Sequence, residues 1–329
     1  MARIAVIGTG TWGTAMAVQA HALPTNTVVL WGRDPSKVER LRTERRHPQI
    51  AEHQLPSDLC ISHELADLAE VELVLWAVPT QFSTAIATSL AAALPAGVPV
   101  VSLAKGLEQD SYHRVTELLG KVLGQRPYGC LSGPSHAEEI LGGLPAALVM
   151  AGPEALRHEV VDQIHGRNLR LYTSEDLVGV ELGGALKNVV AVAAGICDGL
   201  CLGDNAKAAL VTRGVAEMRR LGRALGANDA TFAGLAGTGD LLATCYSPYG
   251  RNRALGLAVA RGATADSHMA ETGMVAEGAW TCRAAVALGR HHGVELPIAS
   301  QVASVLWSGK DVTQAIEELL SRSAKDEDA

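Results

Sequence analysis

Ile4-Ala5-Val6-Ile7-Gly8-Thr9-Gly10-Thr11-Trp12-Gly13-Thr14-Ala15 is the stretch from which the rest of the chain is read. An apolar run of strand character passes directly into a Gly-x-Gly-x-x-Gly turn, and a helical pattern opens within that turn. Each glycine has its own physical reason. Gly8 permits the tight turn, Gly10 lets backbone approach a pyrophosphate, and Gly13 lets helix and strand pack closely, while the helix N-terminus faces the anion. In this setting the motif predicts dinucleotide binding. The competing reading is a glycine-rich turn with no ligand, since glycine supplies 34 of the 329 residues.

Outward from this turn, apolar strand-like runs at residues 3–7, 27–31, 73–77, 98–103 and 128–131 alternate with helical patterns at 12–22, 36–46, 82–94 and 112–123. Further strand-like runs at 147–150 and 170–172 bracket a helix at 153–165. This is the rhythm of a doubly wound parallel sheet. After about Ser174 it stops, and helical patterns follow one another at 182–200, 206–225, 253–260, 278–291, 300–307 and 312–320. The expected fold is therefore α/β: a Rossmann-type doubly wound sheet in residues 1–178, followed by an all-helical C-terminal domain in residues 179–329. No Pro- or Ser-rich linker separates them, so a helix packed across the junction is expected. The charged tail after Ser323 is expected to fray.

Composition narrows the function classes. With 48% hydrophobic residues the chain can build real cores, and with 28 Lys+Arg against 35 Asp+Glu its formal charge is -7. So acidic a chain is a poor general binder of nucleic acid or anionic membrane, and affinity for a phosphorylated ligand must come from a few local cations and backbone amides. The cysteines at 60, 130, 197, 201, 245 and 282 form no CxxC pair and no His/Cys cluster at zinc spacing. They read as small buried hydrophobes in a reducing cytoplasm, with no metal site. The start, MARIAVIG, has no signal-peptide pattern, and the alanine-rich stretches 85–94 and 189–197 are too short to span a bilayer. No membrane insertion is expected.

In a Rossmann unit a carboxylate at the end of the second strand would hold the adenine ribose and favour NAD. Here the strand ends Trp31-Gly32-Arg33-Asp34. Glycine at the acid's position leaves room for a 2'-phosphate and offers Arg33 as its partner, while Asp34 before Pro35 reads equally as a helix N-cap. NADP(H) is favoured, with NAD(H) open.

Three segments beyond the cofactor motif carry candidate chemistry. Lys105, in Ala104-Lys105-Gly106-Leu107-Glu108, sits at the C-terminal end of a strand, where open α/β sheets place ligands; the alternative is a solvated loop lysine. Lys187 follows Gly183 and Gly184 by one turn in an otherwise apolar helix, so a ligand could approach the backbone beside the amine. Burial would lower its pKa towards the range of acid/base work, and the alternative is a lysine snorkelling from a helix end. Asp240, in Ala236-Gly237-Thr238-Gly239-Asp240, reads as an ordinary N-cap or as the carboxylate that orients a catalytic lysine. Arg251 and Asn252 offer donors matched to phosphate oxygens, and Arg253 reads as a surface charge.

Together, GTGTWGTA, WGRDP, AKGLE, SGPSHAEE, GGALKNV, NAKAALVTRGVAEM, AGTGDL, RNR and VAEG resemble the NAD(P)-dependent glycerol-3-phosphate dehydrogenases of the bacterial type, in the family's order and spacing over nearly the whole chain. The resemblance implies reversible reduction of dihydroxyacetone phosphate to sn-glycerol 3-phosphate, a precursor for glycerophospholipid biosynthesis. It makes Lys187 the proton donor and acceptor, with Asp240 beside it and Lys105 near the substrate. Gly133, Ser135, Asn188, Thr244, Gly250, Arg251 and Asn252 are implied around the substrate. Gly8, Gly10, Thr11, Trp12, Gly13, Arg33, Lys105, Ala137, Arg251, Val275 and Glu277 are implied around the cofactor. Three departures stand out: Gly250 where the family usually has a hydroxyl-bearing residue, His136 where it often has an aromatic, and residues 47–56 without the family's Tyr-Leu-Pro pattern. The partner is a small molecule, and a homodimer stays open. Another two-domain reductase of this architecture, of the β-hydroxyacid or ketopantoate type, would share the Gly-x-Gly-x-x-Gly turn and even a helix lysine, and a non-enzymatic cofactor sensor would share the Rossmann half alone.

Overall fold

The computed structural model describes residues 2–323, so the tail after Ser323 lies outside the described residues. The first half runs β1 (Ala2–Ile7), α1 (Thr11–His21), β2 (Asn26–Trp31), α2 (Pro35–Glu44), β3 (Cys60–Ser62), β4 (Leu73–Trp76), α3 (Ser83–Leu90), β5 (Val100–Ser102), α4 (Val115–Leu123), β6 (Tyr128–Ser132), α5 (Ala137–Leu141), β7 (Ala146–Ala151), α6 (Glu154–Ile164) and β8 (Leu169–Ser174). These strands form one sheet in the order β3-β2-β1-β4-β5-β6-β7-β8. Its inner strands are apolar on both faces because helices cover both, as parallel sheets require. Ile4, Val6, Leu73 and Leu75 point into a core shared with Met16 of α1 and Leu156 and Val160 of α6. Ala5, Ile7, Val74 and Trp76 point the other way, onto Ile86 and Leu90 of α3 and Leu119 of α4.

The sheet departs from the all-parallel expectation at β6 and β7, which pair antiparallel. Between them lies only the five-residue helix α5. At about 1.5 Å per residue it is too short to carry the chain back along the sheet for a parallel return.

The second half holds α7 (Leu177–Gly199), α8 (Asp204–Ala224), α9 (Asp240–Tyr246), α10 (Arg251–Ala260), α11 (Ala265–Thr272), α12 (Gly278–His292), α13 (Pro297–Ser308) and α14 (Val312–Leu320). A single π-helical turn, Leu235–Gly239, leads into α9. The central element is α7. It starts five residues before the expected 182, where the Asp176 carboxylate accepts the Gly179 N–H at 2.8 Å as a cap. By length and composition it could cross a membrane, contrary to the short stretch read from sequence, yet 83% of its apolar window is buried inside the protein. It also bridges the two halves: Val180 packs with Cys130 of β6 and Ala151 of β7, and Glu181 accepts from the Thr116 N–H and hydroxyl at the start of α4.

Helices α7 and α10 touch backbone to backbone. A Cβ on Gly256 would lie 2.0 Å from the Val192 carbonyl oxygen, and one on Gly195 would lie 2.1 Å from that of Arg253. This crossing brings Asn252 against Asn188. The cysteine expectation holds for Cys130, Cys197, Cys245 and Cys282, which are buried, and fails for Cys60 and Cys201, which are exposed at an edge strand and just past the end of α7.

Candidate active site

The glycine turn is built as a cradle. Gly8 has φ +117°, and a Cβ there would meet the Ala77 carbonyl oxygen at 2.8 Å, so a side chain is excluded twice over. A Cβ on Gly13 would lie 2.0 Å from the Gly8 carbonyl oxygen, which fixes the close packing of α1 on β1. Gly10 differs: nothing among the described residues lies within 4 Å of its Cβ position, and as the residue before α1 it provides no side-chain cap. The first amides of α1, those of Thr11 and Trp12 included, therefore stay available to an anion. The Trp12 indole N–H is buried without a hydrogen-bond partner among the described residues. An open cradle, an uncapped helix N-terminus and an orphan donor fit a dinucleotide pyrophosphate.

At the end of β2, Asp34 resolves as an N-cap, accepting from the Ser36 and Lys37 N–H groups at 3.0 and 3.3 Å. Arg33 is exposed beside it. Gly32 has a different reason from the one read in sequence. Its missing side chain makes room for the protein itself, since a Cβ would lie 2.6 Å from Thr9 Cγ2 and 2.8 Å from Val38 Cγ2.

The chemistry-bearing groups converge where α7, the π-helical turn and the ends of β5 and β6 meet. Asp240, 1% exposed, accepts from two ammonium groups: Lys187 at 2.6 Å on Oδ1 and Lys105 at 2.8 Å on Oδ2. Lys187 also donates to the Thr244 hydroxyl at 2.5 Å, and that hydroxyl donates to the Asp240 carbonyl at 2.7 Å. Lys105 donates in addition to the Gly133 carbonyl at 2.9 Å and the Ser135 hydroxyl at 3.0 Å. Both residues belong to the loop after β6, and Gly133 takes φ +138° there.

Burial brings the Lys187 ammonium down to about 8; the nearby Lys105 charge adds to this and Asp240 opposes it. Burial alone would raise the Asp240 carboxyl, but the two ammonium groups outweigh it and hold the carboxyl below its ordinary value. The result is a carboxylate that stays charged beside a lysine that can exchange its proton near neutral pH.

The glycines before Lys187 serve the protein rather than a ligand. A Cβ on Gly183 would lie 2.6 Å from the Ala236 carbonyl oxygen, and one on Gly184 would lie 2.7 Å from Ser132 Oγ. Their smallness lets the π-helical turn and β6 press against α7, and so brings Asp240 and Lys105 to Lys187. Asn188 donates to the Lys105 carbonyl at 2.7 Å and accepts from Asn252 at 2.8 Å, whose own oxygen accepts the Gly278 N–H at 2.9 Å. One amide relay thus ties the loop after β5 to α7, α10 and α12. It engages much of the Asn252 amide and leaves the N-terminus of α10, with Gly250 as an uncapping residue, open to an anion. Arg251 is exposed there. Gly250 itself is required by packing, since a Cβ would lie 2.6 Å from the Thr244 carbonyl oxygen. Arg253 is no loose surface charge: it donates to Asp198 at 2.6 Å, alongside Lys207 at 2.8 Å.

Glu277 reaches across to accept the Thr80 N–H at 2.8 Å, while its second oxygen is buried with no hydrogen-bond partner among the described residues. Burial pushes its carboxyl up to about 7, against the pull of the Thr80 N–H and of Arg251. Val275 is half-buried in the loop just before it, and Ala137 is buried at the start of α5.

The N-terminal model of NAD-dependent glycerol-3-phosphate dehydrogenase matches residues 3–156, and the C-terminal model matches residues 176–317. The chain belongs to the NAD-dependent glycerol-3-phosphate dehydrogenase family. A glycerol-3-phosphate dehydrogenase [NAD(P)+] of Salinibacter ruber is 45% identical, with 98% of this chain and 96% of the relative covered. One from Thermoanaerobacter sp. is 40% identical, with 99% and 98% covered. The crystal structure of glycerol-3-phosphate dehydrogenase from Coxiella burnetii superposes with a TM-score of 0.93 at 34% identity, covering 98% of this chain and 99% of that one. A ketopantoate reductase from Ralstonia eutropha, with a TM-score of 0.62 at 15% identity, shares the fold alone.

Within this family chain, sequence reasoning missed groups that act through the backbone or through burial. Thr80 enters by its amide, which no side-chain pattern announces. His136, noted only as a departure from the family, lies 3.3 Å by its Nε2 from the Ala243 carbonyl oxygen and tilts against the Tyr249 ring, with centroids 5.8 Å apart. It joins the loop after β6 to the turn before α10.

Proposed function

We propose that this protein catalyses the reversible reduction of dihydroxyacetone phosphate to sn-glycerol 3-phosphate, with NADPH preferred and NADH also accepted. The cofactor is held by residues 1–178, and the substrate lies between them and the helical residues 179–329. The observation that carries this reading is the buried Asp240 carboxylate shared by Lys187 and Lys105.

When bound, the dinucleotide supplies the hydride, or accepts it in the reverse direction. Lys187 holds the proton that the ketone oxygen needs as negative charge builds on it, and takes it back from the hydroxyl in oxidation. Asp240 keeps the ammonium aimed through its 2.6 Å hydrogen bond. Lys105 adds positive charge beside the same oxygen in a site with little water to screen it, which strengthens stabilisation of the developing charge. Gly133 and Ser135 fix Lys105, and Thr244 fixes Lys187. The substrate phosphate does not react, so its contacts act by positioning: Arg251 and the open amides of α10 are suited to it.

For the cofactor, Gly8, Gly10, Thr11, Trp12 and Gly13 suit the pyrophosphate. Exposed Arg33, beside an Asp34 already engaged as a cap, supports preference for a 2'-phosphate. Cofactor absorbance followed with dihydroxyacetone phosphate as acceptor tests the proposal. Oxidation of NADPH dependent on that ketone, faster at low concentration than that of NADH, is expected; no oxidation of either overturns it.

A further inference from the structure

His47 lies outside every motif that led to the site, yet it is buried and both its ring nitrogens are engaged. Nε2 stands 3.1 Å from the Thr9 carbonyl oxygen, in the middle of the glycine turn. Nδ1 stands 3.2 Å from the Gln49 backbone N. The two partners settle the tautomer. A carbonyl can only accept and an amide N–H can only donate, so Nε2 carries the proton and Nδ1 is the bare acceptor. Burial lowers the pKa of this imidazole, in keeping with a neutral ring.

The ring does not reach the turn by chance. Its chain segment is closed on itself: the Leu55 N–H donates to the Arg45 carbonyl at 2.8 Å, and the Arg45 guanidinium returns to the Leu59 carbonyl at 2.7 Å. Ile50, Leu55 and Leu59 anchor it in the core. His47 therefore projects from a loop held by these contacts onto the cradle, beside Gly10, around whose Cβ position the described residues leave open space.

The Thr9 carbonyl and the Gly10 amide belong to one planar trans peptide unit, so holding the oxygen in one direction holds the N–H in the opposite one. We propose that His47 is a positioning residue for the dinucleotide: by bonding the Thr9 carbonyl it fixes the direction in which the Gly10 N–H is offered to the pyrophosphate. This rests on the dinucleotide reading above. The pyrophosphate is common to both cofactors, so the effect is the same for NADPH and NADH, unlike that of Arg33.

Two substitutions separate this role from that of a loop cap. His47→Asn retains a short acceptor for the Gln49 N–H but cannot span to Thr9, whereas His47→Gln carries a donor to about the reach of Nε2 and loses the cap. Binding of NADPH and of NADH to the full chain, without substrate, is measured for all three proteins alongside thermal melting. His47→Asn is expected to weaken both cofactors by the same factor, about three- to tenfold for one hydrogen bond, with its melting temperature little changed. His47→Gln is expected to bind close to wild type. Equal binding by wild type and His47→Asn, or loss confined to one cofactor, or weaker binding by His47→Gln than by His47→Asn, overturns the inference. Wild-type protein that binds neither cofactor overturns the dinucleotide reading and the inference with it. A readout independent of variants is the imidazole 15N spectrum of the wild-type protein near neutral pH. A neutral ring protonated on Nε2 is expected, and a ring protonated on Nδ1, or on both nitrogens, contradicts it.

Discussion

One Asp240 carboxylate serves two ammonium groups, and their different exposure separates their roles. The Lys187 side chain is 7% exposed and that of Lys105 is 16% exposed. Burial brings the deeper one, Lys187, down to about 8. Removing Lys187 leaves Asp240 still paired with Lys105, so no buried charge is orphaned and the protein is expected to fold. Lys187→Ala should then bind NADPH normally and lose about 10²-fold or more in turnover from missing proton transfer. Lys187→Arg should not restore it, because a guanidinium holds its proton too tightly. Steady-state rates near wild type in either variant would move the role to Lys105. Arg33 is tested by cofactor titration. Arg33→Asp should weaken NADPH by about a hundredfold more than NADH, since a charge-assisted contact is replaced by repulsion. Equal losses for both would remove the assignment.

At the scale of elements, what was legible follows from length and burial. The long apolar runs β1, β2, β4 and β6, and the periodic helices α7, α8 and α12, declare themselves because both faces or one broad stripe must be apolar. Cys60–Ser62 does not: it is a three-residue edge strand whose first residue faces solvent. The five residues of α5 and the polar α11 carry too little periodicity, although Thr264 and Ser267 form a reciprocal cap on α11. Within the site, Lys105, Lys187 and Asp240 were each readable, but their convergence was not. It depends on the π-helical turn Leu235–Gly239, whose residues after Leu235 are small and carry no side-chain signature, and on Gly183 and Gly184 admitting that turn and Ser132. His47 was unreadable for a related reason, since its partner is a backbone carbonyl far away in sequence. The crossing of α7 and α10 gives a prediction at this scale. Gly256→Ala places a methyl 2.0 Å from the Val192 carbonyl oxygen and must push the helices apart. A loss of about 3 kcal/mol in chemical unfolding is expected. Gly120→Ala, whose Cβ in α4 meets nothing closer than the Tyr128 ring at 3.6 Å, is the control and should be neutral or stabilising. Equal effects for the two would mean that the crossing does not need the glycine.

For the whole molecule, the proposed mechanism divides the labour: the glycine turn at Gly10 takes the pyrophosphate, the Asp240 cluster holds the proton, and the open end of α10 takes the substrate phosphate. If Arg251 acts through the substrate phosphate, Arg251→Ala should raise the apparent constant for dihydroxyacetone phosphate and lower turnover through misplacement. The penalty should be much smaller with dihydroxyacetone, which has no phosphate. Slowing of both ketones by one factor would assign Arg251 to the fold or the cofactor.

The most direct measurement is the pH dependence of turnover in both directions at saturating substrates. In the proposed mechanism the proton donor for reduction is the charged form of Lys187, which is present below about 8. Turnover for ketone reduction should therefore hold level at lower pH and fall, about tenfold per unit, as pH rises through that value. Turnover for alcohol oxidation needs the neutral amine and should rise over the same range and then level off. Reduction that stays flat through and well above this region, or oxidation that fails to rise with it, would contradict Lys187 as the group that holds the proton.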